Sequence, residues 1–231
     1  MKTRITNVAF TAAFIVAATV GSATSARAGV VNHSGLFAGV ESNTGVPRDL
    51  RLGKVQDDTR ARAYQEGALI TLPANTPYHA TSLNGNIHYN NISQLSPAAF
   101  IPGAGNTIVN SYIVHYDPTS LFTRTTTGFI DFSNPVYVIT YPNSDLAATD
   151  NTLGISSWQY PAGRSDRGFD LAQANDTFSL YSPSSGVWRV EWNLEAGIGL
   201  DQMRIVEITP TPASLGLLAT GGLLMARRRR T

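Results

Sequence analysis

Between Trp188 and Leu194 apolar and polar residues alternate without a break: Trp188, Val190, Trp192 and Leu194 on one side, Arg189, Glu191 and Asn193 on the other. A period of two sends successive side chains to opposite faces of a strand. The segment is therefore expected to be a half-buried strand, its tryptophan face in a core and its charged face in water. It belongs to a series. Short runs rich in Thr, Val, Ile, Tyr and Phe, punctuated by Gly, Pro, Asn and Asp, cover Ala68–Leu72, Thr107–Tyr116, Thr125–Phe132, Pro135–Tyr141, Thr177–Tyr181, Gly186–Leu194 and Gln202–Ile208. That pattern predicts an all-β domain, an antiparallel and jelly-roll-like β-sandwich. Ser133-Asn134-Pro135 marks a tight connection, so Thr125 to Tyr141 reads as a hairpin or corner. A helical turn or two is expected only near Ser93 to Phe100, where Pro97 fits a first turn.

Both ends of the chain differ from this pattern. Lys2 and Arg4 precede an apolar run of 13 residues, Val8 to Val20, and a small-residue stretch ending Ala26-Arg27-Ala28. This is the layout of a secretory signal peptide over residues 1–28, its helix cleaved after Ala28, with Ala26 and Ala28 forming the A-x-A site. The run is shorter than the roughly 20 residues a membrane span needs. At the other end Pro210-Thr211-Pro212 leads into an apolar segment of 14 residues, Ala213 to Ala226, and then Arg227, Arg228, Arg229 and Arg230. The short apolar helix expected there can enter a membrane transiently, with the arginines held at the cytoplasmic face.

Removing both ends reverses the charge balance. Of 17 Lys+Arg, seven lie in the end segments, whereas all 16 Asp+Glu lie between Glu41 and Glu207. The domain at 29–208 therefore has ten basic and 16 acidic residues, a net charge of −6. Such a domain lacks the basic footprint that nucleic-acid binding requires. With Cys 0, neither disulfides nor thiolate zinc nor a cysteine nucleophile is available, so stability must come from the core or from ions. Within the domain, 29–62 is polar and turn-rich. It holds Arg48, Arg51, Lys54, Arg60 and Arg62 and is expected to be an irregular arm with one short strand.

The C-terminal arrangement resembles the PEP-CTERM sorting signal of Gram-negative bacteria, with Thr211 standing where that family has glutamate. The resemblance covers residues 210–230. It implies an exosortase-like processing enzyme acting near the prolines, export machinery upstream of it, and an address in the outer envelope, cell surface or extracellular matrix. A second resemblance rests on Asn110-Ser111-Tyr112-Ile113-Val114-His115-Tyr116-Asp117-Pro118, Thr127-Gly128-Phe129-Ile130-Asp131-Phe132, Leu146 to Gly154, and Gly199-Leu200-Asp201-Gln202-Met203-Arg204-Ile205. These segments are similar to those of a group of uncharacterised exported bacterial β-sandwich proteins, many with the same tail. That likeness implies a fold and a compartment but no activity.

Four sets of side chains could carry chemistry. His115 and Asp117 sit two apart on a strand and could share one ligand or metal; the simpler expectation is a satisfied strand histidine and an Asp-Pro turn. Asp145, Asp150 and Asn151 lie in an oxygen-rich loop, Pro142 to Gly154, of the kind that supplies calcium, although Asp and Asn are also ordinary turn residues. Asp201, with Glu191, Glu195 and Glu207, could supply a hydrolytic carboxylate pair, or Asp201-Gln202 could simply close a turn. Trp158 and Tyr160, with Tyr141 and Tyr181, could stack on sugar rings, or serve as core. The reading preferred from sequence is a non-enzymatic exported surface or matrix protein without a required cofactor. The alternative is a carbohydrate-binding module, calcium-stabilised, with extracellular polysaccharide as partner. A secreted hydrolase ranks third.

Overall fold

The computed structural model describes residues 29–42, 48–72, 76–78, 87–89, 99–100, 107–120, 122–161, 163–164, 167–169, 176–197 and 199–209. The expected signal helix at 1–28 lies outside these residues, as do the sorting tail expected at 209–231 apart from Thr209 and most of the expected helix at Ser93 to Phe100. The strands are β1 (Val30–Ser34), β2 (Leu36–Glu41), β3 (Ala61–Thr71), β4 (Pro77–Tyr78), β5 (Ile87–Tyr89), β6 (Ala99–Phe100), β7 (Ile108–Tyr116), β8 (Arg124–Phe132), β9 (Val136–Thr140), β10 (Thr177–Ser184), β11 (Val187–Ala196) and β12 (Asp201–Ile208). They form one five-stranded sheet in the order β1-β8-β11-β10-β5, another in the order β2-β3-β7-β12-β9, and a small β4-β6 pair.

The two large sheets face one another across a shared core. Ile130, Phe132, Phe178, Leu180, Val190, Trp192 and Leu194 come from the first sheet, and Ala63, Tyr112, Val114, Ile139, Met203 and Ile205 from the second. The fold is thus an all-β sandwich, and Trp192 and Leu194 lie inward as their alternation demands. Trp192 sits opposite Gly128 in the β8–β11 register. A Cβ at Gly128 would lie 2.8 Å from the indole and 2.6 Å from the Ser34 carbonyl oxygen, so only glycine leaves room for that ring.

Ser133-Asn134-Pro135 is a corner and not a hairpin, because β8 and β9 belong to different sheets. It is fixed by Glu207, which accepts from Asn134 Nδ2 at 3.1 Å, Tyr112 Oη at 3.3 Å and Asn110 Nδ2 at 3.4 Å.

Three sequence expectations need correction. The stretch 29–62 holds two strands, β1 and β2, before β3 begins at Ala61, and it feeds both sheets through Gly35, whose φ of 69° lets the chain switch layers. The sandwich is not wholly antiparallel, since β2 pairs parallel with β3. The described part of their connection lies on the outer face of the second sheet, where Leu50 packs with Tyr64, Ile113 and Trp158, and β3 starts at the end of the sheet where β2 started. Finally, Pro142 to Gly154 is not simply a loop. Asn143–Thr149 forms helix α1, with Leu146 and Thr149 buried on one side and the Thr149 hydroxyl donating to the carbonyls of Asp145 and Leu146.

Candidate functional site

The outer face of the second sheet carries Tyr64 and Glu66 from β3, Ser111, Ile113 and His115 from β7, and Gln202 and Arg204 from β12. All seven are buried. Charged and polar side chains do not remain under cover unless they bond to one another. The cover comes from residues 48–56, from α1 and residues 150–160, and from Arg167.

Arg204 satisfies all five of its donors there. Nε and Nη2 donate to the two Glu66 oxygens at 2.7 and 2.9 Å, Nη2 also to Asp150 Oδ1 at 3.0 Å, and Nη1 to the Leu146 carbonyl and the Thr149 hydroxyl. Arg167 grips both oxygens of Asp150 and donates from Nε to Gln202 Oε1 at 2.6 Å. Tyr160 donates to Glu66 Oε1 at 2.6 Å and accepts from the Ile155 amide at 2.9 Å. Two carboxylates thus meet two guanidinium groups, with no net charge. Burial works to lower the Arg204 pKa, but the Glu66 and Asp150 charges prevail and raise it. Burial, then the Glu66 charge, holds the Tyr160 phenol far above its ordinary range, so it stays a donor.

Gln202 links this network to His115. Because Gln202 Oε1 accepts from Arg167, its amide nitrogen is the donor to the Leu50 carbonyl and to His115 Nδ1, 2.8 Å away. The ring is therefore the neutral tautomer with its proton on Nε2. Burial, followed by the charges of Arg167 and Arg62, pushes the His115 pKa down from 6.5 to about 3, against an upward pull from the Val55 backbone. Between those values the unfolded chain binds a proton that the folded one refuses. Stability from this residue is complete above pH 6.5 and falls as pH drops, by up to about 1.4 kcal/mol per pH unit. Urea unfolding at pH 7 and pH 5 should show the decline, and His115→Gln should flatten it; an unchanged slope in that variant would rule His115 out as its source.

The other sequence candidates separate. Asp117 accepts from the Gly53 amide at 2.6 Å and serves the turn at 51–54, so it and His115 do not converge on one ligand. Asp150 lies between two guanidinium groups, Asp145 accepts from its neighbour Ser144 in the first turn of α1, and Asn151 is exposed. The helix disperses what a loop was expected to gather. Among the described residues no three His, Asp or Glu side chains make a metal-holding group. Asp201 and Gln202 begin β12 and do not close a turn. Asp201 and Glu207 stand at opposite ends of that strand, about 20 Å apart at the usual rise, well beyond the separation a glycosidase pair uses.

Trp158 is not an exposed stacking ring. It is 5% exposed and lies edge-on to Tyr64, with centroids 5.8 Å apart. Tyr141 is likewise buried, stacked on Phe169. Tyr160 does reach the surface in part. With Arg51, Leu52, Gln159, Pro161 and Arg164 it lines an open groove of about 560 Å³ above the buried network. Both walls are fixed from behind. Leu50 and Gln159 exchange backbone bonds through Leu50 N to Gln159 O and Gln159 N to Arg48 O, each 2.8 Å, while Asp117 holds Gly53 and Glu66 holds Tyr160.

Sequence reasoning passed over Glu66, Arg167 and Arg204 as site residues. One signal was present: Gln202 and Arg204 put two long polar side chains on the same face of a strand whose neighbouring residues Met203, Ile205 and Val206 are apolar. Comparison with protein-family models, with curated proteins and with solved structures finds no match to this chain.

Proposed function

We propose that the chain is a non-enzymatic exported protein of the cell surface or extracellular matrix of a Gram-negative-type bacterium. In this reading it is delivered by the export machinery and sorted by an exosortase-like enzyme acting on the tail at Pro210-Thr211-Pro212. The observation that carries the reading is the closed polar network. Glu66, Asp150, Arg167, Arg204, Gln202 and His115 are bonded to one another under cover, and the described residues that line the groove include no carboxylate, imidazole or thiol. A domain with Cys 0 that lives outside the cell needs internal ties other than disulfides. Here Arg167 and Arg204, by holding Asp150, take the stabilising role expected of calcium. The Thr209 amide donates to the Ile108 carbonyl at 2.8 Å, so the sheet grips the residue just before Pro210. This supports a boundary there between domain and tail. Strands that alternate between sheets (β7 in one, β8 in the other, β9 back again) favour a jelly-roll-like winding.

A carbohydrate-binding module is the second reading, favoured by the groove beside Tyr160. Intact-mass analysis of the protein from fractions of the producing cells tests the first. The expected species begins at Gly29, is found in the envelope or medium, and when released is cut close to Pro210–Pro212. A chain that keeps Met1 and stays in the cytoplasm would overturn the proposal.

A further inference from the structure

The corner between β8 and β9 also holds the first residue of the domain. The Gly29 amide donates to Ser133 Oγ at 3.2 Å, and the Gly29 carbonyl accepts from the Ser133 amide at 3.1 Å and its hydroxyl at 3.3 Å. Ser133 Oγ also accepts from Asn134 Nδ2 at 3.3 Å, and the same nitrogen donates to Glu207 Oε1 at 3.1 Å. A hydroxyl offers one donor and two acceptor positions, and a side-chain amide nitrogen two donors. Both groups are therefore fully used, and they link Gly29 to Glu207. Glu207 is buried, and its bonds come from the neutral donors Asn134, Tyr112 and Asn110, with no cation bonded to it among the described residues. Burial pushes its pKa up; a buried carboxylate without a counter-charge is costly.

Cleavage after Ala28 changes the other end of this chain of bonds. The Gly29 nitrogen becomes an α-amino group, which is protonated at pH 7 because its usual pKa is about 7.7–8.0. We propose that Ser133, Asn134 and Glu207 form a binding site for the α-ammonium group created at Gly29, so that removal of the signal itself tightens the folded domain. In the uncut chain that nitrogen is an amide with one N–H and no charge. As an ammonium it keeps its bond to Ser133 Oγ and makes it charge-assisted, roughly twice as strong as a neutral one. Its charge also lies within about a Debye length, roughly 8–10 Å, of Glu207, because only bonds of 3.2, 3.3 and 3.1 Å separate them. The neighbouring charges are already matched. Asp131 and Arg189, one register position from Val30–Phe132–Trp188, hold one another at 2.7 and 2.9 Å, and Glu41 of β2 is held by Arg48 at 2.8 Å.

β1 has need of such a tie. Four of its five residues are exposed, so little burial holds this edge strand, and terminal segments fray unless tied down. The corner grips the last strand as well, since the Pro135 carbonyl accepts from the Ile208 amide at 3.0 Å. Part of the stability is thus withheld until the signal has been removed.

The amine exists only if the signal is cut as read above, and the mass of the protein from the producing cells decides that separately. Protein beginning at Gly29 is compared with the same protein acetylated at its N-terminus at pH 6.5, where the α-amine reacts ahead of Lys54, the one lysine after residue 28. Acetylation restores an amide, as in the uncut chain. The urea midpoint should fall by about 0.5 M at pH 6.5. A folded-state amine pKa above the unfolded value gives stability that is complete below about pH 7.7 and lost as pH rises through the folded pKa, so the gap should close by about pH 10. Ser133→Ala should abolish the gap and Glu207→Gln should at least halve it, each variant being compared with its own acetylated form so that a general loss of stability cancels. Equal midpoints for the free and acetylated wild-type protein, or a gap that persists at pH 10, would overturn the site even where a variant fails to fold. A gap unchanged in both variants would do the same. A first residue other than Gly29 would overturn the export reading and this site together.

Discussion

Replacing Arg204 with Met should lower the unfolding free energy by about 3–5 kcal/mol, measured by urea denaturation. The side chain has no solvent exposure, and neither does that of Glu66, the carboxylate it holds through two hydrogen bonds. Methionine fills the volume but supplies no donor. Glu66 would keep Tyr160 and Ser111 as neutral donors while remaining a buried charge without a counter-charge. Asp150 would keep Arg167, so the damage should concentrate on Glu66. Adding Glu66→Leu to Arg204→Met removes the orphaned charge, and the double variant should be less destabilised than the two single losses combined. A loss below about 1 kcal/mol for Arg204→Met would mean that water or rearrangement satisfies Glu66. The outer face would then be softer than its hydrogen bonds suggest.

Trp192→Ala should be equally damaging, by about 3–5 kcal/mol, read from the same denaturation followed by far-ultraviolet circular dichroism. The ring is 2% exposed, lies among the residues shared by both sheets, and is fitted to Gly128 across the β8–β11 pair. Its Nε1–H is buried with no hydrogen-bond partner among the described residues. Trp192→Phe discards that unsatisfied donor together with part of the ring, so two effects oppose one another and the loss should stay below about 2 kcal/mol. A Phe variant as damaged as the Ala variant would show that the full indole volume, and not merely an aromatic filler, holds the sheets together.

Most strands could be read from the chain because their cause is local. β7, β8, β9, β11 and β12 begin and end within two residues of their expected positions, since period-two alternation and Pro or Gly punctuation depend only on neighbouring residues. β3 was largely missed, being expected from Ala68 but starting at Ala61. Its Arg62 fell in the arm expected at 29–62, and Gln65 and Glu66 fell in no expected strand, whereas Tyr64 and Glu66 are buried beneath a segment some 80 to 100 residues further along. The same distance explains the groove. Arg51 and Arg164 are far apart in sequence, and the parallel bridge of Asp49 to Gln159, with Leu50 packed on Trp158, brings their two segments together.

What the sequence determined by itself was the class of the domain, its acidic charge and its lack of cysteine, along with the inward face of Trp192 and Leu194. Each follows from composition or from periodicity along one stretch of chain. Only the tertiary structure decided which charges are buried and which are free. Asp150 belongs to Arg167 and Arg204 instead of to a loop with Asn151, and Trp158 belongs to the packing around Tyr64 instead of to the surface. Whether a polar side chain meets water or a partner depends on what folds over it, and here the covering segment lies far along the chain.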